Sequence, residues 1–173
     1  MSTSTVDECA SCDSRTMRNV CGLFATGITV ITAGGDMPHG MTANAFTSVS
    51  LDPPLVLVCV DRDARLHESI LAAKSFAVSV LGAGQADLAK HFADRSRPAG
   101  LAQFDSTEWD AGPRTGAPLI REALAHVECA LWRVYHGGDH WIVLGRVLEA
   151  GGTPGDALLF FDGGFQELAM GES

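Results

Sequence analysis

The 173-residue chain lacks the features that mark several large protein classes. The longest apolar run in its middle, Leu55 to Val60, has only six residues, far too few to span a bilayer. Because no basic segment followed by an apolar segment opens the chain, we predict no signal peptide and a cytoplasmic location. With 12 basic and 21 acidic residues, the net charge of −9 disfavours nucleic acids and anionic membranes as partners.

Motifs for several common chemistries are also missing. The sequence has no GxGxxG after a strand, no P-loop, no GxSxG and no HExxH, and its Ser, His and Asp residues show no triad-like spacing. Cys9 and Cys12 form a CxxC, but its context is polar and no second pair follows. We therefore predict no metal site and a flexible tail over residues 1–13, with a metal or redox role for this pair as the alternative.

A neutral polar segment from Met37 to Leu51 is the most informative stretch that is present, because it contains no Asp, Glu, Lys or Arg. Its uncharged donors and acceptors are Thr42, Asn44, Thr47, Ser48 and Ser50. Alternate residues of a strand share a face, so we expect Thr42, Asn44 and Ser48 to point the same way. Such a face favours a flat, uncharged, hydrogen-bonding ligand, and a Ser/Thr-rich edge strand is the alternative.

Hydrophobic periodicity predicts one mainly β domain over residues 14–173. Helices are predicted over about 14–26, 63–74 and 84–94, with Asp63 as the N-cap of the second. Strands are predicted over 27–33, 39–46, 53–61, 75–81, 123–135, 140–150, 157–162 and 165–168. The third strand is apolar on both faces and should be central and buried. Antiparallel hairpins dominate, which favours a closed or nearly closed β-barrel with short helices at its ends.

Two further segments are candidates for function. Residues 95–117 are rich in Gly, Pro and polar residues, and a loop this long in a compact domain is often functional. Between positions 62 and 97 there are six basic and four acidic residues, so this window is locally positive in an acidic chain. Phosphate binding and ion pairing along helix faces both remain compatible with that pattern.

Seven segments stand in an order that resembles one known family. They are FATGITVIT, GMTANAFTSVSLDPPLVLVCVDRDAR, FAVSVL, QADLAKHFA, GAPLIREALAHVECAL, GDHWIVLGRV and LLFFDGGFQEL. Together, over about residues 15–168, they resemble the flavin reductases with the FMN-binding split-barrel fold. The resemblance implies an antiparallel split β-barrel, a homodimer, FMN or FAD as flavin, and NADH or NADPH as hydride donor.

The resemblance also implies which residues bind. Those along the isoalloxazine ring would be Thr42, Ala43, Asn44, Ala45, Thr47 and Ser48. Those near the ribityl chain and phosphate would be Asp61, Arg62, Asp63, Ala64, Arg65 and Ser69, with Lys90, His91, Phe92 and Arg95 as a second phosphate-side group. Those on the nicotinamide side would be Gly138, Asp139, His140 and Phe165. The alternatives are arginines paired with Asp61 and Asp63, a surface histidine at position 91, and a solvent-facing hairpin histidine at position 140.

The activity implied by the resemblance is hydride transfer from NAD(P)H to flavin, with His140 orienting the dinucleotide and no general base required. Reduced flavin would then diffuse to a partner monooxygenase. The alternative is a sensor or electron carrier that holds its flavin tightly without turnover.

Overall fold

The computed structural model describes residues 12–171; the predicted tail lies mostly outside them, including Cys9. The helices are α1 (Ser14–Gly22), α2 (Arg65–Ala73) and α3 (Ala86–Ala93), with a 3-10 helix at Gly100–Phe104. The strands are β1 (Thr26–Gly27), β2 (Thr29–Ala33), β3 (His39–Ala43), β4 (Phe46–Leu51), β5 (Pro54–Asp61), β6 (Ser75–Val80), β7 (Trp109–Ala111), β8 (Pro118–Ile120), β9 (Ala125–Gly137), β10 (His140–Gly152), β11 (Ala157–Phe161) and β12 (Gly164–Leu168). Among these residues, no helix is long and apolar enough to cross a membrane.

Seven strands form one antiparallel sheet in the order β3-β2-β6-β9-β10-β5-β4. Strands β1, β11 and β12 form a second sheet, and β7 pairs with β8. A mainly β, antiparallel architecture with short helices is therefore confirmed. The predicted hairpin between β9 and β10 is also present, and it turns through Gly138, whose φ of 76° favours glycine.

Two apolar clusters hold the helices against the strands. The first includes Ile70 of α2 and Phe76 of β6, both fully buried. The second includes Phe92 of α3, Phe104 of the 3-10 helix and Leu158 of β11. Helices α2 and α3 therefore each bury one apolar face, which fixes the start of α2 and the end of α3 beside the ends of β3 and β5.

The prediction of one strand over residues 39–46 is wrong. Strand β3 ends at Ala43, the chain bends at Asn44, and β4 begins at Phe46. The bend is closed by two backbone hydrogen bonds, from Phe46 N–H to the Asn44 carbonyl (3.0 Å) and from Cys59 N–H to the Ala45 carbonyl (3.1 Å). Two short strands on opposite edges of the sheet replace the single strand.

The expectation that Thr42, Asn44 and Ser48 share a face is wrong for Ser48, for the same reason. The Thr42 hydroxyl donates to the carbonyl of Ala89 in α3 at 2.7 Å, while Ser48 lies exposed on β4. Side-chain alternation holds only within one continuous strand, and the bend at Asn44 interrupts it.

Asp63 is not the N-cap of α2. The helix begins at Arg65 after Ala64, which makes no side-chain capping bond. The Asp61 carboxylate instead accepts the N–H of Asp63 at 2.9 Å, and the Asp61 carbonyl accepts the N–H of Ala64 at 3.1 Å. Asp61, the last residue of β5, therefore stabilises the turn before α2, in place of the cap predicted at Asp63.

Strand β5 is less central than predicted, because only β4 lies between it and the sheet edge. One face is buried through Val56, Val58 and Val60, whereas Leu57 and Cys59 on the other face are only partly buried. The long segment 95–117 is partly regular, since it contains the 3-10 helix and β7.

We expect Gly145 of β10 to be essential for packing, because a β-carbon there would lie 2.5 Å from Phe76 Cζ and 2.7 Å from Cys129 Cβ. Gly145→Ala should lower the free energy of unfolding by about 1–3 kcal/mol, measured by urea denaturation. Gly151→Ala on the same strand is the control, since its β-carbon would meet nothing within 4 Å. Equal stability of the two variants would contradict this account of the packing.

Candidate functional site

A cleft of about 350 Å³ opens where β3, β5, α2, α3 and the start of β10 converge. It is lined by His39, Met41, Thr42, Ala43, Asn44, Ala45, Cys59, Asp61, Asp63, Ala64, Arg65, Phe92, Ala93, Arg95, Arg97 and His140. Many of the residues singled out in the sequence therefore lie together, although they come from segments almost 100 positions apart.

One wall of the cleft is neutral and built from small residues. It consists of the bend at Ala43, Asn44 and Ala45, together with Cys59 of β5. Burial raises the pKa of the Cys59 thiol, so this side chain adds no charge near pH 7. Within residues 12–171 the Asn44 amide makes no side-chain hydrogen bond, and it is therefore available to a polar ligand.

Three arginines line the cleft, and among residues 12–171 only Arg95 is neutralised by a carboxylate. Its Nη2 lies 2.6 Å from Oδ2 of Asp61. The N–H of Asp63, and then Arg95, hold the pKa of the Asp61 carboxyl below its usual range. In the described part of the chain, Arg65 and Arg97 form no ion pair. These two cations are free to attract an anionic group.

Arg97 is held in place by uncharged acceptors. Its guanidinium donates to the carbonyl of Asp94 at 2.6 Å and to the carbonyl of Gly40, and its Nη2 lies 3.0 Å from His39 Nε2. It also lies over the ring of Phe92, 5.9 Å from the centroid. These contacts fix the guanidinium without cancelling its charge.

The site residues predicted from the sequence did not include Arg97, His39 or the buried Gln103, although Arg97 belongs to the locally positive window 62–97. The Gln103 amide accepts the N–H of Gly40 at 2.9 Å and donates to the carbonyl of Pro38 at 2.9 Å, so it joins the long loop to β3. One signal was available, since Arg97 and Gln103 lie within the 95–117 segment that was expected to be functional. His39 gave no such signal, because it lies in the neutral segment from Met37 to Leu51 and no sequence pattern distinguishes it there.

The β9–β10 turn brings His140 to the opposite rim. His140 is paired in register with Asp61 of β5, and its Nδ1 lies 2.8 Å from the Asp139 carboxylate. That contact lowers the pKa of the Asp139 carboxyl. The His140 side chain is 43% exposed, so it can meet a ligand that enters from solvent.

Some predicted site residues do not line the cleft: Thr47, Ser48, Arg62, Ser69, Lys90, His91, Gly138, Asp139 and Phe165. Lys90 instead pairs with Asp87 at 2.9 Å on the exposed side of α3. The His91 Nε2 lies 2.7 Å from the Gln103 carbonyl. Phe165 packs edge-on against Phe160, 5.8 Å away in the small sheet.

Comparisons with known proteins agree on one family. Residues 21–169 match the flavin reductase like domain. The NADH-dependent FAD reductase of Streptomyces globisporus is 55% identical over 154 residues, which is 88% of this chain and 85% of that protein. The reductase subunit HsaB of a flavin-dependent monooxygenase from Mycobacterium tuberculosis is 36% identical over 160 residues, 90% of this chain and 83% of that protein.

A solved structure gives the same answer. BorF, the flavin reductase component of a bacterial two-component tryptophan halogenase, superimposes with a TM-score of 0.88 at 55% identity, covering 91% of this chain and 99% of that chain. The cleft thus has a neutral wall and, among the described residues, two arginines without an ion pair. The chain belongs to the flavin reductase family.

We expect His39 to make stability depend on pH. Burial first, and then the Arg97 and Arg65 charges, lower the pKa of His39 from 6.5 to about 4. Between pH 6.5 and pH 4 the unfolded chain therefore binds a proton that the folded protein excludes. As the pH falls from 6.5 to 4, the contribution of His39 to the free energy of unfolding should decrease by up to about 3 kcal/mol.

His39→Gln should remove this part of the pH dependence while leaving an acceptor for Arg97. The measurement is urea denaturation of both proteins at several pH values from 4 to 7. Parallel stability curves for wild type and His39→Gln would show that His39 is not excluded from protonation in the folded state.

Proposed function

We propose that the protein is an NADH-dependent flavin reductase that binds oxidised flavin in the cleft and releases it reduced. The observation that supports this most directly is the pairing, within one cleft, of the neutral wall at Ala43–Ala45 with the unneutralised Arg65 and Arg97. Family membership and the named activity of the Streptomyces globisporus relative support the choice of NADH and FAD.

The residues present fit a flavin. The Asn44 amide and the small side chains beside it would face the isoalloxazine ring, whose edge carries both hydrogen-bond donors and acceptors. Arg65 and Arg97 would hold the phosphate, for which guanidinium groups are well suited. His39, whose pKa is lowered to about 4, is neutral near pH 7, so Arg65 and Arg97 would supply the positive charge at this end of the cleft.

The chain's own contribution to the reaction is positioning. Bound flavin supplies the chemistry by accepting a hydride from the dihydronicotinamide. His140 at the rim would orient the nicotinamide ring through its imidazole, and the cleft would bring the two rings into contact. No side chain is required to take a proton from carbon, which agrees with a site built from arginines, one amide and small residues.

We also propose that the large sheet closes into the split barrel expected from the resemblance. Its two edge strands, β3 and β4, are consecutive in the chain and separated only by Asn44 and Ala45. Two edges joined by so short a connection have to approach each other, so a seven-stranded sheet in this order has to curl.

A homodimer and a separate partner enzyme complete the proposal. Helix α1 buries none of its residues and exposes Val20, and Leu23 and Phe24, which follow it, are exposed as well. Leu51 at the end of β4 is 92% exposed. Burial against a second copy would remove this apolar surface from water. Reduced flavin would reach a flavin-dependent monooxygenase by diffusion in the cytoplasm, where the free thiols of the described cysteines stay reduced.

The direct test is NADH oxidation by the purified protein, followed at 340 nm with FMN or FAD added. We expect the rate to rise with added flavin and to saturate, because flavin is a substrate that leaves the cleft. Retention of yellow colour after dialysis without NADH oxidation would instead support a protein that holds its flavin without turnover.

The phosphate role of Arg65 predicts a ligand-dependent loss of affinity. Arg65→Gln should weaken FMN binding by about one to two orders of magnitude, because a charge-assisted hydrogen bond contributes roughly 1.5–3 kcal/mol. Binding of riboflavin, which has the same ring but no phosphate, should be unchanged; both are measured by flavin fluorescence quenching. Lys90→Gln is the control, since Lys90 is exposed and outside the cleft. Equal losses for FMN and riboflavin would reject the assignment.

A further inference from the structure

Arg62 lies between two residues that line the cleft but does not line it itself. Asp61 and Asp63 line the cleft, whereas the Arg62 guanidinium lies beside the Gly138 carbonyl and over Trp141. No carboxylate pairs with it within residues 12–171. The guanidinium of Arg62 instead contacts a backbone carbonyl and an aromatic ring.

The contacts of Arg62 converge on the β9–β10 turn. Its backbone N–H donates to the carbonyl of Asp139 at 3.1 Å, and its Nη1 donates to the carbonyl of Gly138 at 3.2 Å. The guanidinium carbon lies 5.1 Å from the ring centroid of Trp141, within the range of a cation–π contact. One residue therefore contacts the chain on both sides of His140.

Trp141 offers a fixed surface for this contact. The imidazole of His67 in α2 stacks on the indole at 4.5 Å with an interplanar angle of 6°. The ring of His136 lies 4.3 Å away at 48°. Because successive residues of β10 point to opposite faces, Trp141 is held behind the site while His140 faces the cleft.

We propose that Arg62 is a positioning residue that holds the Gly138–Asp139 turn and thereby sets His140 for the dihydronicotinamide donor. The inference rests on the proposed function, and it assigns Arg62 to the nicotinamide side, away from the flavin phosphate. The glycine at position 138 makes such a restraint useful, because a Gly-Gly-Asp turn has many accessible conformations when it is free.

The test compares Arg62→Ala and Arg62→Lys with wild type at saturating flavin. Both variants should raise the KM for NADH about tenfold, because lysine keeps the charge but lacks the planar fork that reaches Gly138 and covers Trp141. The dissociation constants of FMN and riboflavin should stay within about twofold of wild type. Arg146→Ala is the matched control, because Arg146 of β10 lies over the ring of Trp132 of β9, 5.9 Å from its centroid, and neither residue lines the cleft.

A phosphate-free hydride donor separates positioning from direct binding of a dinucleotide phosphate. With 1-benzyl-1,4-dihydronicotinamide, which carries no phosphate, the loss caused by Arg62→Ala should persist. Disappearance of the loss with this donor, near-normal kinetics of Arg62→Lys, or a weakened affinity for FMN but not riboflavin would each overturn the proposal. Absence of NADH oxidation by the wild-type protein would instead refute the proposed function, so the two failures are distinguishable.

Discussion

The constraint that organises this protein is the two-residue connection between the edge strands of its large sheet. β3 and β4 stand at opposite ends of the strand order, yet only Asn44 and Ala45 separate them. The bend between them places the Asn44 side-chain amide, which has no hydrogen-bond partner in the described part of the chain, among small residues of the cleft. The neutral wall of the site is thus a consequence of how the sheet is connected, and the pocket-forming helices are placed against that connection.

The cleft has a neutral wall at Ala43–Ala45 and positive charge at Arg65 and Arg97. Arg97 is fixed by backbone carbonyls, a neutral imidazole and an aromatic face, and the buried Gln103 supports the same corner. Such contacts orient a guanidinium while leaving its positive charge uncompensated, which suits it to an anionic ligand group. Arg95 is different, because its charge is paired with the carboxylate of Asp61, which also accepts the Asp63 N–H in the turn before α2.

Sequence patterns predicted the elements well wherever the information was local. The β9–β10 hairpin, α3 and the mainly β class follow from periodicity and turn residues, and the family resemblance supplied the order of the segments. The bend at Asn44 could not be predicted, because it depends on the position of β4 across the sheet. The same holds for the roles of His39, Arg97 and Gln103, whose contacts join positions about 60 residues apart. Arg62 shows the converse case: its place in a basic window indicated a phosphate contact, but its neighbours in space are a turn and an indole ring.

In the proposed function a single cleft holds the flavin, with the ring at the Asn44 bend and the phosphate at Arg65 and Arg97. A crystal structure of the protein soaked with FMN tests it most directly. We expect isoalloxazine density beside Ala43–Ala45 and phosphate oxygens within hydrogen-bond distance of either guanidinium. An empty cleft, or a ring bound elsewhere on the protein, would contradict it.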